Sequence, residues 1–344
     1  MKDVFNATLI QLLVTNHCSF DCANCSQLIP HQPKKFHATL ETIEKALWTL
    51  TNWNGHIGLF GGEPTCHPQF AEICKLMQRL VPVKARRELW TAGTNWDKYK
   101  DIIEETFYKE LIAYNDHSKP DECWHQPVQI AIEEVFPARD KDKMRKIIDN
   151  CWVQLRWSPS ITPMGAYFCE IAAARAMLLG APKGLDIEWD WWKRPLSAYQ
   201  YQIDALCKKC SACLPMPMKA NSYQNYDDVS QGNLTELYAK NSPKANEGHC
   251  KCFDIEALQN YYQDHDFTPV DPQKDYQMRG GFTDFPEWRP WFYRDQKKNQ
   301  PDGTERPVSE IVQEQKGKRP RGRPKKLQSG NVEFKEKENE KILK

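Results

Sequence analysis

Three cysteines fall within eight residues, Cys18, Cys22 and Cys25, in a C-x3-C-x2-C spacing. Thiols this close can wrap one loop around one metal centre, but they supply only three ligands. A structural zinc ion closes its shell with four, so a zinc site here would need His17 or His31 as well. A cubane of iron and sulfur held by three thiolates instead leaves one iron open to a small chelating molecule, and that open corner is where chemistry can occur. A second constellation, Gly61-Gly62-Glu63-Pro64-Thr65, begins 36 residues after Cys25. Paired glycines at the end of a strand let backbone come close to a ligand.

The cysteine loop after a first strand and the GGEP turn after a second together resemble the signature of the radical S-adenosylmethionine (SAM) superfamily. The resemblance implies that Cys18, Cys22 and Cys25 hold a [4Fe–4S] cluster whose fourth iron binds the amino and carboxylate groups of SAM. One-electron reduction would then release methionine and a 5′-deoxyadenosyl radical that abstracts hydrogen from a substrate. The reductant would be a carrier such as flavodoxin or ferredoxin. Gly61, Gly62, Glu63 and Pro64 would receive the SAM amino group through backbone and carboxylate. That family usually places an aromatic residue before the third thiol. Asn24 stands there in this chain, leaving a backbone contact near the adenine. Asn115 and Ser118, at the end of a later strand, would hold the ribose or the methionine carboxylate.

Further thiols follow at Cys151 and Cys169, then at Cys207, Cys210 and Cys213 in a C-x2-C-x2-C run. The alternating segments around the Pro/Gly turn between Cys151 and Cys169 predict a β-hairpin that could bring those two together. Ile171 to Leu179 predicts a helix ending at Gly180. Hairpin, helix and paired thiols resemble the twitch (half-SPASM) extension of radical SAM enzymes. This implies an auxiliary [4Fe–4S] cluster on Cys151, Cys169 and two of Cys207, Cys210 and Cys213. Four thiolates would equally build a structural zinc site. Cys66, Cys74 and Cys123 read as isolated thiols, and Cys250-x-Cys252 carries no assigned role.

The carboxy-terminal tail is polar and poor in aromatics. Seven basic residues lie between Lys316 and Lys326, against a formal net charge of +1, so the rest of the chain stands at about −6. The core Arg321-Gly322-Arg323-Pro324 resembles an AT-hook, an extended segment whose arginines lie along an AT-rich minor groove. The substrate classes that follow are a nucleotide or modified base on DNA, or else a peptide or small metabolite as in other twitch and SPASM relatives. Trp191, Trp192 and Trp288 could stack on a base or pack in the core. A non-catalytic, zinc-containing DNA-binding protein would use the same motifs differently.

These residues need a scaffold. Leu9 to Thr15, Ile57 to Phe60, Arg87 to Thr91, Leu111 to Tyr114 and Val128 to Ile132 read as strands. Helices are predicted over Leu40 to Leu50 and from His67 through Leu80. The succession predicts an α/β fold: a partial (β/α)6 TIM-like barrel with a small α+β cysteine-rich extension. Domain boundaries are expected at 1–148 (core barrel), 149–218 (auxiliary-cluster domain), 219–300 (no assigned role) and 301–344 (basic tail). With 344 residues, 40% hydrophobic and 11% aromatic, the chain can bury a large core. The apolar run Ala7 to Val14 is too short to span a bilayer and lacks a cleavage site. Thirteen cysteines without an export signal suit metal ligands in a reducing cytoplasm better than disulfides.

Overall fold

The computed structural model describes residues 1–114, 124–151, 153–154, 159–214, 219–220, 226–262, 298–299 and 305–306. Asn115, Ser118, Cys123, Trp288 and the basic core Arg321, Gly322, Arg323 and Pro324 lie outside them.

Leu9–Thr15 (β1) is a run of Leu, Ile, Val and Thr buried along its whole length, as a strand covered on both faces must be. It pairs in parallel with His56–Gly61 (β2), which pairs with Arg87–Thr91 (β3), which pairs with Ile112–Tyr114 (β4). The short strand Trp124–His125 (β5) stands outside this sheet. On the other side of β1, Ser160–Thr162 (β6) adds a fifth parallel strand and turns back antiparallel into Gly165–Tyr167 (β7). The sheet order is therefore β4-β3-β2-β1-β6-β7. This is a mixed α/β fold with a mainly parallel central sheet.

Three helices make the crossovers that parallel pairing demands: Leu40–Thr49 (α1), Phe70–Leu80 (α2) and Trp96–Thr106 (α3). Thr39 caps α1 by accepting a hydrogen bond from the Thr42 amide. Helix α2 buries Phe70, Ile73, Cys74 and Met77, a stripe at helical spacing. Ile10, Leu12 and Val14 of β1, with Ile57, Leu59 and Leu89, belong to the same apolar core. The alternate residues, among them Gln11, Phe60 and Trp90, take the opposite face.

Val128 to Ile132 does not form the expected strand. Gln129 makes one isolated bridge, and a short helix, Ile132–Val135 (α4), begins at Ile132. Side chains take the amides a ladder would use: Ile130 donates to Ser211 Oγ and Ala131 to Ser230 Oγ. Lys141–Asp149 (α5) leads to Cys151. The expected hairpin is shifted: Val153 and Gln154 are helical, and the hairpin is the β6–β7 pair inside the central sheet. Glu170–Leu179 (α6) follows and ends at Gly180 in the left-handed region, φ 75°, as the sequence predicts. Its alanines let it pack nearly all round. Gln200–Leu206 (α7) precedes the second thiol cluster.

Beyond it, Lys219–Ala220 (β8) pairs with β5. Asp227–Val229 (β9) pairs in parallel with Cys250–Cys252 (β10), around Gln231–Ala239 (α8) and Pro243–Asn246 (α9). Ile255–Tyr262 (α10) packs on α4. Trp191 and Trp192 are core residues, 1% and 3% exposed. No helix of the described residues is long and apolar enough to cross a membrane.

Candidate functional site

The cysteine loop leaves the end of β1 and is fastened from its first residue. Asn16 Nδ2 donates to the Lys34 carbonyl, and the Phe36 amide donates to Asn16 Oδ1. The glycine turn after β2 is bonded directly to this loop: Gly62 N–H donates to Thr15 O at 2.9 Å and Glu63 N–H to His17 O at 2.8 Å. The approach leaves no room for side chains. A Cβ on Gly61 would lie 2.3 Å from Thr15 O, and one on Gly62 would lie 2.6 Å from His17 O and 3.1 Å from Cys18 Cβ. The pairing of the two motifs in sequence is thus a contact in space.

Cys18, Cys22 and Cys25 line one cleft with Gly61 and Gly62, and the cleft encloses about 800 Å3 including solvent at its mouth. Phe20, Phe60 and Trp90 form apolar wall, while Gln27, His125 and Glu170 bring polar atoms. Burial pushes the Cys18 thiol from the usual 9.0 up to about 12 and raises that of Cys25. A cluster of thiols held neutral by burial becomes a ligand set only when a metal centre compensates the thiolates. The twelve described cysteines are all free.

Glu63 and Asn24 are both hydrogen-bonded within the protein. Glu63 is fully buried. Its Oε1 accepts from the Thr65 amide, Thr65 Oγ1 and Thr91 Oγ1, and its Oε2 accepts from the Ala92 amide at 2.6 Å. Burial raises its carboxyl, opposed by these four bonds. The carboxylate therefore ties the β2 turn to the β3 turn, and Gly61 and Gly62 line the cleft. Asn24 takes a left-handed conformation, φ 52°, which Asn tolerates. Its amide donates to Asp227 Oδ1, and its side chain exchanges hydrogen bonds with Asp228.

Of the two nearby histidines, His31 is already committed to other partners. Both ring nitrogens of His31 are engaged, Nε2 with Asp227 at 2.6 Å and Nδ1 with Ser242 at 2.8 Å. His17 stacks on His37, ring centroids 4.1 Å apart. Among the described residues, no group of three or more His, Cys, Asp or Glu side chains is placed to hold a single metal ion.

A second cavity, of about 430 Å3, is lined by all five downstream thiols: Cys151 after α5, Cys169 at the start of α6, and Cys207, Cys210 and Cys213 after α7. Its remaining wall is mostly apolar, apart from Gln154 and Arg175. Burial raises all five thiols, and proximity adds to it: Cys169 and Cys207 each feel Cys151 and Cys210. Arg175, 3% exposed, forms an ion pair with Glu236 and donates to Asn233 at 2.8 Å. The hairpin reading foresaw the meeting of Cys151 with Cys169, but the connection runs through the central sheet.

The sequence offered no sign of the contacts that residues 226–252 make with the cysteine loop. Those contacts join residues some two hundred positions apart, with no local pattern to mark them.

No protein-family model and no curated protein matches this chain. Among solved structures it is similar to BtrN in complex with AdoMet and 2-DOIA, at 15% identity and TM-score 0.38, over 59% of this chain and 92% of that one. A selenomethionine BtrN structure in an open conformation gives 13% identity and TM-score 0.36, over 59% and 86%.

Proposed function

We propose that the chain is a radical SAM enzyme, with a [4Fe–4S] cluster on Cys18, Cys22 and Cys25 and SAM in the adjoining cleft. One observation carries the reading: the three thiols and the side-chain-free Gly61-Gly62 backbone line the same cleft. Three thiols fit a group that needs three protein ligands and keeps a corner for a small molecule. When bound, the cluster would supply one electron to the SAM sulfonium, giving methionine and a 5′-deoxyadenosyl radical that takes hydrogen from substrate. The protein's part is to hold and to shield. Gly61 and Gly62 offer backbone to the amino-acid end of SAM. Glu63 fixes that turn against Thr91 and Ala92 without entering the cleft. Phe20, Phe60 and Trp90 restrict water where a radical would form. The partial barrel of that superfamily belongs to the same proposal.

The second cavity is read as the auxiliary [4Fe–4S] site, on Cys151, Cys169 and two of the remaining three thiols. Four thiolates on zinc crowd about 2.3 Å from a common centre, whereas those on a cubane bind separate irons and spread wider. Five thiols lining one cavity suit the larger group. A flavodoxin or ferredoxin would supply electrons. The substrate is a nucleotide or modified base on DNA if the basic tail binds a minor groove, and a peptide or small metabolite if it does not.

The test is chemical. Anaerobically reconstituted protein, given dithionite and SAM, is expected to form 5′-deoxyadenosine, and Cys18→Ala to abolish it. Stoichiometric zinc without sulfide, and no deoxyadenosine, would favour the non-catalytic DNA-binding protein.

A further inference from the structure

Lysine is almost never fully buried unless it is paired, yet the Lys244 side chain is 0% exposed. It lies on the short helix α9, far in sequence from the cysteine loop. Its ammonium reaches three oxygens: the Cys22 carbonyl at 2.8 Å, Asp227 Oδ1 at 2.9 Å and Asp21 Oδ1 at 3.3 Å. An ammonium carries three protons, and two of the three oxygens around it are in the cysteine loop itself.

Asp227, 0% exposed, is the anchor. Besides Lys244 it accepts from the Asn24 amide and bonds His31 Nε2, both at 2.6 Å. Burial would raise its carboxyl, but His31 and Lys244 hold it below the ordinary carboxylate range. The pair is therefore charged. Both members touch the cysteine loop, the ammonium at the Cys22 carbonyl and the carboxylate at the Asn24 amide.

We propose that Lys244, held by Asp227, is a positioning residue for the first thiol site: it fixes the loop through the Cys22 carbonyl and lays a fixed positive charge beside the thiolates. This rests on the reading of that site as a cluster site. A cation next to an anionic cluster favours the state with the extra electron, through net charge and hydrogen bonding at short range in a low dielectric. Asp227, Asp228 and Lys244 thus gain a role, fastening the cysteine loop.

The measurement is the midpoint potential of each cluster, followed by EPR in a dithionite titration of full-length reconstituted protein, with iron and sulfide counted beforehand. The SAM-responsive signal identifies the first site; the other serves as internal control. Lys244→Met is expected to disfavour reduction of the first site about tenfold, a shift of about 59 mV to more negative potential, and to leave the second unmoved. Lys244→Arg is expected to keep the wild-type value. An unmoved first-site potential in Lys244→Met, or an equal shift in Lys244→Arg, would overturn the proposal. Should Lys244→Met not fold, Asp227→Asn decides instead: it removes the opposing charge and is expected to move the potential upward, and no movement there also overturns it. Wild-type protein without iron at the first site would sink the functional reading itself, a different failure from a SAM-responsive cluster indifferent to Lys244.

Discussion

Gly62 is where the glycine turn and the cysteine loop touch, so its missing side chain can be tested directly. In Gly62→Ala the new Cβ would meet His17 O at 2.6 Å, a backbone atom that no rotamer change can move. Such overpacking costs about 1–3 kcal/mol. The expected result is a lower denaturation midpoint together with reduced iron at the first site. Glu63→Gln should cost about 2 kcal/mol, because an amide replaces a charged acceptor of four hydrogen bonds. It should weaken SAM binding through the displaced turn, measured by equilibrium binding at full iron content. The thiols give a pH prediction for metal-free protein. Burial raises Cys18 and Cys210 from 9.0 to about 12, so above pH 9 the unfolded chain loses these protons first. The stability they contribute is present below pH 9 and falls as pH rises towards 12. Urea midpoints across that range should fall for the apo protein and stay flatter once iron and sulfide occupy the thiols.

At the level of helices and strands, the five downstream thiols come from three separate places, and each place can be removed alone. Cys169→Ser should cost the second site its iron, about four atoms per chain for a cubane, while the first site keeps its SAM-responsive signal. Much of this architecture was legible beforehand. Leu9 to Thr15 and Arg87 to Thr91 form strands with the bounds that composition gives them. Gly180 stops α6 where a left-handed residue was foreseen. Local pattern sufficed there because burial and backbone conformation are read from neighbouring residues. It failed at Val128 to Ile132, where Ser211 and Ser230 capture amides that an apolar run would otherwise offer to a ladder. It gave no hint that Glu63 ties its turn to Thr91 and Ala92, which lie on and after another strand. It could not foresee the Lys244–Asp227 pair, since nothing near Cys22 in sequence announces a lysine 222 positions on.

The whole molecule separates its charge. The run between Lys316 and Lys326 carries seven positive charges against a near-neutral total, so the tail should act on polyanions independently of the iron sites. Deleting residues 316–326 is expected to weaken binding to an AT-rich duplex and to flatten its dependence on salt; deoxyadenosine formation in the absence of DNA should not change. Equal binding by the truncated protein, measured by fluorescence anisotropy at two salt concentrations, would remove DNA from the substrate argument. Everything upstream of the tail turns on whether the corner left by Cys18, Cys22 and Cys25 is free for SAM. The most direct measurement is EPR of dithionite-reduced Cys169→Ser protein before and after SAM is added. A single cluster signal whose g-values change with SAM is the predicted result. A signal indifferent to SAM, or a first site without iron, would contradict it.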